Sequence, residues 1–277
     1  MIETGSEAPG APSAGTSREA AIPVLLLHGA TSLHDIWSPL LPLFSATQPV
    51  IAMPLPGHLE GEPVALDRPV TIERLADDII AIMARQGVYS AHVVGNSLGG
   101  WLALELARKG FAASVTAFSP AGSWPDERAF LRIARAMVFA CRVFPLLRPL
   151  MTPLMRLTAV RKLLFTSQMK YGERVSVAEA QRMLLGVCHC PVIPPLIASF
   201  GNRGGLKSMP PLDIPVHIVW SGEDRVLPRE VFMPPMQQAL PWAAYSILED
   251  AGHVPMYDQP DAMVAIIERS IAMATAD

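Results

Sequence analysis

The sequence predicts an α/β fold with a mostly parallel, doubly wound sheet and an inserted helical cap. Short apolar runs that end in glycine alternate with helical patterns, and 51% of the 277 residues are hydrophobic, enough for a large core. One central stretch contains helical patterns and no convincing strand. We therefore assign residues 22–122 and 213–277 to the core, residues 123–212 to the cap, and residues 1–21 to a flexible tail.

The core elements follow from local patterns in chain order. Buried strands are predicted at Ile22–Gly29 and Pro49–Gly57, each an apolar run closed by glycine. A helix follows, because apolar residues recur at helical spacing, Thr71 can cap its start and Gly87 can end it. Later apolar runs predict further strands at Ala91–Gly95, Ser114–Phe118, Pro215–Trp220 and Ala244–Leu248. The helix Asp261–Met273 closes the chain.

The predicted cap is basic. Between Glu127 and Lys170 there are nine basic residues and one acidic residue, whereas the whole chain has a net charge of −3. A helix is predicted over Glu127–Phe144, with apolar residues around a stripe of arginines. These arginines are Arg128, Arg132, Arg135 and Arg142. Such a helix commonly packs over an apolar pocket, and weak contact of this cap with a membrane surface is the alternative that stays open.

Composition also bears on partners and location. A net charge of −3 gives the chain no overall attraction for nucleic acid, so no nucleic-acid partner is expected. Residues 1–21 do not resemble a secretory signal, and no apolar run reaches the ~18 residues that suggest a membrane span. Cys141, Cys188 and Cys190 are an odd number of cysteines and fit a reducing, cytoplasmic compartment. No second cysteine pair accompanies them, so no metal site is expected.

A nucleophile is indicated where the third predicted strand meets a helix. Gly95-Asn96-Ser97-Leu98-Gly99 matches G-x-S-x-G in that strand–turn–helix context. A β-carbon at either glycine would crowd neighbouring backbone, while the serine is lifted out at the edge of the sheet. Leu98 is the first residue of the predicted helix, and its N–H can stabilise an oxyanion. The turn after the first strand lies at the same edge, and the N–H of Ala30 is the second candidate donor.

A serine hydroxyl needs a base and an acid that orients the base. Asp224, in SGEDRVLP, and His253, in AGHVPMYDQP, each follow a predicted strand. Glu223 and Asp250 are rivals for the acid, and the position of Asp224 in its motif favours it. The chain order Ser97, Asp224, His253 differs from that of the chymotrypsin and subtilisin types.

Four motifs, LLLHGA, GNSLGG, SGEDRVLP and AGHVPMYDQP, make the chain resemble the α/β-hydrolase superfamily from residue 22 to the C-terminus. The resemblance implies the α/β-hydrolase fold. The nucleophile, acid, base and oxyanion donors that it implies are, in that order, Ser97, Asp224, His253, and Ala30 with Leu98. Haloalkane dehalogenases and most epoxide hydrolases resemble this family but place Asp where this chain has Ser97.

The expected activity is hydrolysis of an apolar, small-molecule ester or related carbonyl compound through an acyl-enzyme at Ser97. No metal or organic cofactor is expected, because the triad supplies nucleophile, base and oxyanion donors. Three alternatives stay open: hydrolysis of carbon–carbon bonds in diketones, a cofactor-free perhydrolase, and a non-enzymatic ligand receptor on the same scaffold. The sequence leaves the oligomeric state open.

Overall fold

A computed structural model describes residues 21–203 and 205–275. Its strands are β1 (Val24–Leu27), β2 (Val50–Met53), β3 (Ala91–Asn96), β4 (Ala112–Phe118), β5 (Val216–Ser221) and β6 (Ala244–Leu248). Its α-helices are α1 (Ile72–Arg85), α2 (Leu98–Arg108), α3 (Glu127–Leu154), α4 (Thr158–Phe165), α5 (Val177–Cys188), α6 (Ile193–Arg203), α7 (Arg229–Ala239) and α8 (Pro260–Ala274). The predicted flexible tail lies, except for its last residue, outside the described residues.

The six strands form one sheet in the order β2-β1-β3-β4-β5-β6, and every neighbouring pair is parallel. Leu25 and Leu27 of β1 belong to the apolar core that includes α1, α2 and α7. Val24 and Leu26 belong to the core on the opposite face, which includes α8. Strands buried on both faces require a nearly continuous apolar sequence, as β1 has. The predicted parallel, doubly wound sheet is confirmed, and all carboxyl ends of its strands share one edge.

The predicted helix ends of α1 are present, whereas α7 was not predicted. The Thr71 hydroxyl accepts a hydrogen bond from the Arg74 N–H at 3.3 Å, and Gly87 adopts a positive φ of 76° after the last turn. In α7, two adjacent prolines interrupt the helical pattern of the sequence. The helix forms nevertheless because Phe232 and Met236 are fully buried in the core.

Helices α3 to α6 lie between β4 and β5, and no strand interrupts them among the described residues. The predicted helix from Glu127 does not end at Phe144 but continues to Leu154 through prolines 145, 149 and 153. All three prolines are exposed, and on the solvent side of a helix water can bind a carbonyl group that has lost its amide donor. Local sequence rules therefore place the end of α3 too early.

Helix α5 is joined to the core by polar contacts. Ser176 and Glu179 form the predicted capping box at its start, and Glu179 also accepts a hydrogen bond from the Tyr257 hydroxyl at 3.0 Å. Arg182 forms ion pairs with Asp35 and Glu60 of the core. No single helix among the described residues is long and apolar enough to cross a membrane. The segments 177–188 and 193–200 would reach the required length and composition together, but they are bent by 61°.

Replacement of Gly99 by alanine tests how closely α2 approaches β1. A Cβ atom there would lie 2.1 Å from the Leu27 carbonyl oxygen, in the backbone of a central strand. We expect Gly99→Ala to unfold the protein or to lower its free energy of unfolding by more than about 4 kcal/mol.

Gly110 provides a matched control for this measurement. It has a positive φ of 78°, and a Cβ atom there would meet nothing within 4 Å. Gly110→Ala should therefore cost only about 1 kcal/mol of backbone strain. Urea unfolding followed by circular dichroism compares the two variants, and equal losses would contradict the close approach of α2 to β1.

Candidate active site

Ser97 occupies a strained turn between β3 and α2. Its φ of 56° and ψ of −115° lie outside the regions that a non-glycine residue ordinarily adopts. The turn is held on both sides, because the Ser97 N–H donates to the Phe118 carbonyl at 3.0 Å and the Ser97 carbonyl accepts from the Ala121 N–H at 2.9 Å. A Cβ atom at Gly95 would lie 2.1 Å from the Gly99 carbonyl oxygen, so the motif's spacing of glycines is a steric requirement.

His253 and Asp224 meet at the same edge of the sheet. The imidazole Nδ1 donates to Asp224 Oδ2 at 2.7 Å, and both residues are buried. The other carboxylate oxygen of Asp224 accepts hydrogen bonds from the N–H groups of Val226 at 2.9 Å and Leu227 at 2.7 Å. Because the carboxylate fixes the proton on Nδ1, the Nε2 atom of the neutral ring is left as an acceptor.

Ser97 is linked to the histidine loop through its neighbour in the chain. The Asn96 side-chain amide donates to the His253 carbonyl at 2.9 Å and to the Phe118 carbonyl at 3.2 Å. Within the described residues, the Ser97 hydroxyl itself forms no hydrogen bond with the imidazole. Such bonds are often long without substrate and tighten when substrate binds. The fold thus brings the three predicted triad residues to one edge, with the serine hydroxyl still free.

The turn after β1 lies against the serine. A Cβ atom at Gly29 would be 3.4 Å from Ser97 Cβ, and Ala30 follows directly. None of the hydrogen bonds of the described residues uses the N–H of Ala30 or of Leu98. Both groups therefore have the free donors that an oxyanion requires.

His28 fixes the conformation of this turn. Its Nδ1 donates to the Gly29 carbonyl at 2.8 Å, and its Nε2 accepts from the Leu55 N–H at 3.0 Å. Complete burial and the neighbouring His58 hold the pKa of His28 well below its ordinary value, so the ring is neutral. A neutral ring is the form that can donate through one nitrogen and accept through the other.

The two rival carboxylates do not contact the imidazole. The Lys170 ammonium group contacts Glu223 at 2.5 Å and also forms an ion pair with Asp250. Hydrogen bonds to these two carboxylates raise the pKa of Lys170, so this cation stays charged. Lys170 thus joins the loop that carries Asp224 to the loop that carries His253.

Asp258 is a structural residue of the site that the sequence reasoning missed. Its buried carboxylate accepts hydrogen bonds from the N–H groups of Lys170 and Tyr171, each at 2.9 Å, and of Gly252 at 2.8 Å. In addition, the N–H of residue 254 donates to the carbonyl of residue 168 at 2.8 Å. The signal in the sequence is an acidic residue inside AGHVPMYDQP, next to the final helix. The cap segment 168–174 therefore supports the histidine loop from outside the core.

An aromatic cluster lies one helical turn beyond the serine. The ring of Trp101 is 4.8 Å from Phe200, and the ring of Trp124 is 5.5 Å from Phe130 and 6.2 Å from Phe232. The cluster thus joins α2 to elements of the cap and to α7. A cavity of about 440 Å³ adjoins Trp101 and Phe200, but none of the triad residues lines it.

The cysteines of the predicted cap are not grouped with further metal-ligating side chains among the described residues. Cys141, Cys188 and Cys190 are free, and the described residues contain no group of three or more His, Cys, Asp or Glu placed to hold a metal ion. Burial raises the pKa of the Cys190 thiol well above its ordinary value, so the thiol stays protonated and unreactive.

A model of the alpha/beta hydrolase family matches residues 24–266, nearly the whole described chain. The chain belongs to this family. The predicted α/β-hydrolase fold is thereby confirmed. An esterase from Thermogutta terrifontis superposes with a TM-score of 0.69 at 21% identity, covering 92% of this chain and 91% of the esterase.

Two relatives of this hydrolase have names that specify a reaction. Epoxide hydrolase EphH of Mycobacterium tuberculosis is 32% identical over 200 residues, which cover 70% of this chain and 91% of EphH. A pimeloyl-(acyl-carrier protein) methyl ester esterase of Neisseria meningitidis is 26% identical over 270 residues, covering 90% of this chain and 93% of the esterase. The family and these relatives support a hydrolytic enzyme.

The buried pair of histidines beside the β1 turn predicts a loss of stability in acid. Burial lowers the pKa of His58 from 6.5 to about 4, so between these values the unfolded chain binds a proton that the folded chain does not. Stability from this residue is complete above pH 6.5 and is lost as the pH falls towards 4. Acidification from pH 7.5 to pH 5 should cost about 2 kcal/mol through His58.

His58→Gln removes this titration and should reduce the acid-induced loss of unfolding free energy by about that amount. His189→Gln is the matched control, because it makes the same substitution at an exposed histidine. Urea unfolding at pH 7.5 and pH 5 checks both. An unchanged pH dependence in His58→Gln would contradict a neutral, buried His58.

Lys170 is expected to act as a positioning residue. Lys170→Met removes the cation shared by Glu223 and Asp250, on the loops that carry Asp224 and His253, so we expect several-fold slower labelling of Ser97 by a fluorophosphonate. Lys170→Arg should restore the rate, because a guanidinium group can also contact two carboxylates. Lys109→Met breaks an ion pair with Asp77 away from the site and serves as the control. Labelling of Lys170→Met at the wild-type rate would show that the pair of contacts does not position the site.

Proposed function

We propose that this hydrolase is a serine esterase that cleaves apolar esters through an acyl-enzyme at Ser97. The observation that carries the proposal is the buried 2.7 Å hydrogen bond between His253 and Asp224, beside a serine presented on a strained turn. This combination fixes the tautomer of the imidazole and leaves its Nε2 atom as an acceptor. Nucleophilic attack by serine requires such a base.

In the proposed reaction, His253 Nε2 removes the proton of the Ser97 hydroxyl as its oxygen attacks the ester carbonyl. The oxyanion that forms accepts hydrogen bonds from the N–H groups of Leu98 and Ala30. The imidazolium, stabilised by Asp224, then gives its proton to the alkoxide that leaves. Water repeats the sequence on the acyl-enzyme, with His253 first as base and then as acid.

The identity of the nucleophile favours an ester over an epoxide as substrate. A carboxylate that opens an epoxide forms an ester with the enzyme, and water can hydrolyse that ester. A serine that opened an epoxide would form an ether, which the same imidazole and water cannot cleave. The chain carries Ser97 at this position, so the proposal does not transfer the named reaction of the EphH relative to this chain.

The apolar character of the substrate is supported by the surroundings of the turn. Trp101 lies on the first turn of the helix that begins beside Ser97, and its ring is in contact with the aromatic cluster of the cap and α7. An acyl chain or aromatic group of an ester would bury apolar surface against such rings.

Labelling by a fluorophosphonate probe tests the nucleophile. The wild type should be labelled, and Ser97→Ala should lose the label, because only an activated serine reacts with the phosphorus atom. Ser221→Ala is the matched control, since Ser221 also lies at the carboxyl end of a strand, is buried and forms no hydrogen bond through its hydroxyl. This variant should retain the label.

A panel of p-nitrophenyl esters of increasing chain length and an aryl epoxide then tests the substrate class. We expect hydrolysis of the esters, loss of that hydrolysis in Ser97→Ala by a factor on the order of 10³ or more, and no turnover of the epoxide. If folded wild-type protein is not labelled and does not cleave any ester, the proposal is overturned and a non-enzymatic ligand receptor is favoured.

A further inference from the structure

The outer side of the cap exposes large apolar side chains. Leu146 on α3 is 79% exposed and Leu163 on α4 is 75% exposed. Between residues 139 and 163 the large apolar residues that are exposed are Phe139, Leu146, Leu147, Leu150, Leu154, Leu157 and Leu163. Single exposed apolar side chains are normal on a protein surface, but six leucines and one phenylalanine within 25 residues require an explanation.

Three of these residues share one face of α3. Phe139, Leu146 and Leu150 are separated by seven and then four residues, the spacing that places side chains above one another on a helix. Met137, Cys141 and Phe144 point the other way and pack against the apolar cores. The helix therefore has two apolar sides, of which only the inner one has a partner among the described residues.

Cations surround the exposed apolar residues. Arg135 and Arg142 lie on the same face of α3 as Phe139, four residues before it and three residues after it. Between residues 128 and 170, all cations except Arg161 and Lys170 are exposed. The exposed cations are Arg128, Arg132, Arg135, Arg142, Arg148, Arg156 and Lys162. Lys162 lies 3.8 Å from Glu173, and the other six have no acidic partner among the described residues. The sequence contains no acidic residue from 128 to 172.

We propose that this outer cap face, formed by the exposed leucines and cations of α3 and α4, docks on an anionic lipid bilayer. A second copy of the chain fits the face less well. In a symmetric dimer the same patch meets itself, so the unpaired arginines would face one another. An anionic bilayer instead offers phosphate groups to the arginines and an apolar layer to the leucines.

The prolines of α3 limit how deeply this face can enter. Prolines 145, 149 and 153 each remove an amide donor on the exposed side, so the carbonyl groups one turn earlier need water. Water is present among lipid headgroups but not in the hydrocarbon core. The outer cap face therefore lies at headgroup depth, with the leucines inserted and the helix parallel to the surface.

Flotation with vesicles tests the proposal. The wild type should bind vesicles that contain phosphatidylglycerol, should not bind vesicles of phosphatidylcholine alone, and should be released by salt. Paired substitution of Leu146→Ser with Leu150→Ser should weaken the partition coefficient by about tenfold or more. Arg142→Gln with Arg148→Gln should also weaken it by about tenfold or more.

Two matched controls make the same types of substitution at positions outside the cap. Leu66→Ser and Arg68→Gln replace an exposed leucine and an exposed arginine outside the cap, and vesicle binding should be unchanged. Ser97→Ala should bind vesicles like the wild type, because the proposal does not depend on ester hydrolysis. All these positions except Ser97 are exposed, so the unfolding temperature should be retained and should show that each variant folds.

Two results would overturn the proposal. The first is a failure of the vesicle test: either the wild type binds neither kind of vesicle, or both doubly substituted variants bind vesicles as well as the wild type does. The second is a dimer, detected by sedimentation velocity, that dissociates when Leu146 and Leu150 are both replaced by serine, while the wild type does not bind vesicles. This result would identify a second copy of the chain as the occupant of the face.

Discussion

The candidate site depends on the absence of a β-carbon at two positions of the turn between β3 and α2. The Cβ position of Gly99 falls 2.1 Å from the Leu27 carbonyl oxygen, and that of Gly95 falls 2.1 Å from the Gly99 carbonyl oxygen. Only glycine allows α2 to start this close to the end of β1. The same approach places the first N–H of α2 near the turn after β1. The proposed nucleophile and the proposed oxyanion donors are thus positioned by one packing contact.

How much of the site the sequence predicts depends on the range of the interactions. Ser97 could be identified because strand, turn and helix are contiguous in the chain, and its positive φ follows from that turn. The contacts of Lys170 could not, because Glu223 and Asp250 are 53 and 80 residues away in sequence. Asp258 accepts bonds from a segment 87 and 88 residues distant, for the same reason. Pairings between loops of different elements leave no local pattern.

The course of α3 shows another limit of local patterns. Proline ordinarily ends a helix, and the sequence therefore predicts an end near Phe144. The three prolines of α3 are all exposed, and on an exposed side of a helix water can replace a missing donor. The predicted cap then has an inner part, which contacts the core through Arg182 and the segment 168–174, and an outer part with exposed leucines.

A serine nucleophile makes greater demands on the histidine than a carboxylate does. A carboxylate is already ionised, so the base is needed only when water attacks. In the proposed reaction of this chain, His253 must accept a proton from Ser97 and later one from water, and its Nε2 must be correctly placed for both steps. Among the contacts that hold its loop are those of Asn96 with the carbonyl of His253, Asp258 with the N–H of Gly252, and Lys170 with Asp250. Each comes from a different element, so displacement of the imidazole would require movement of core and cap together.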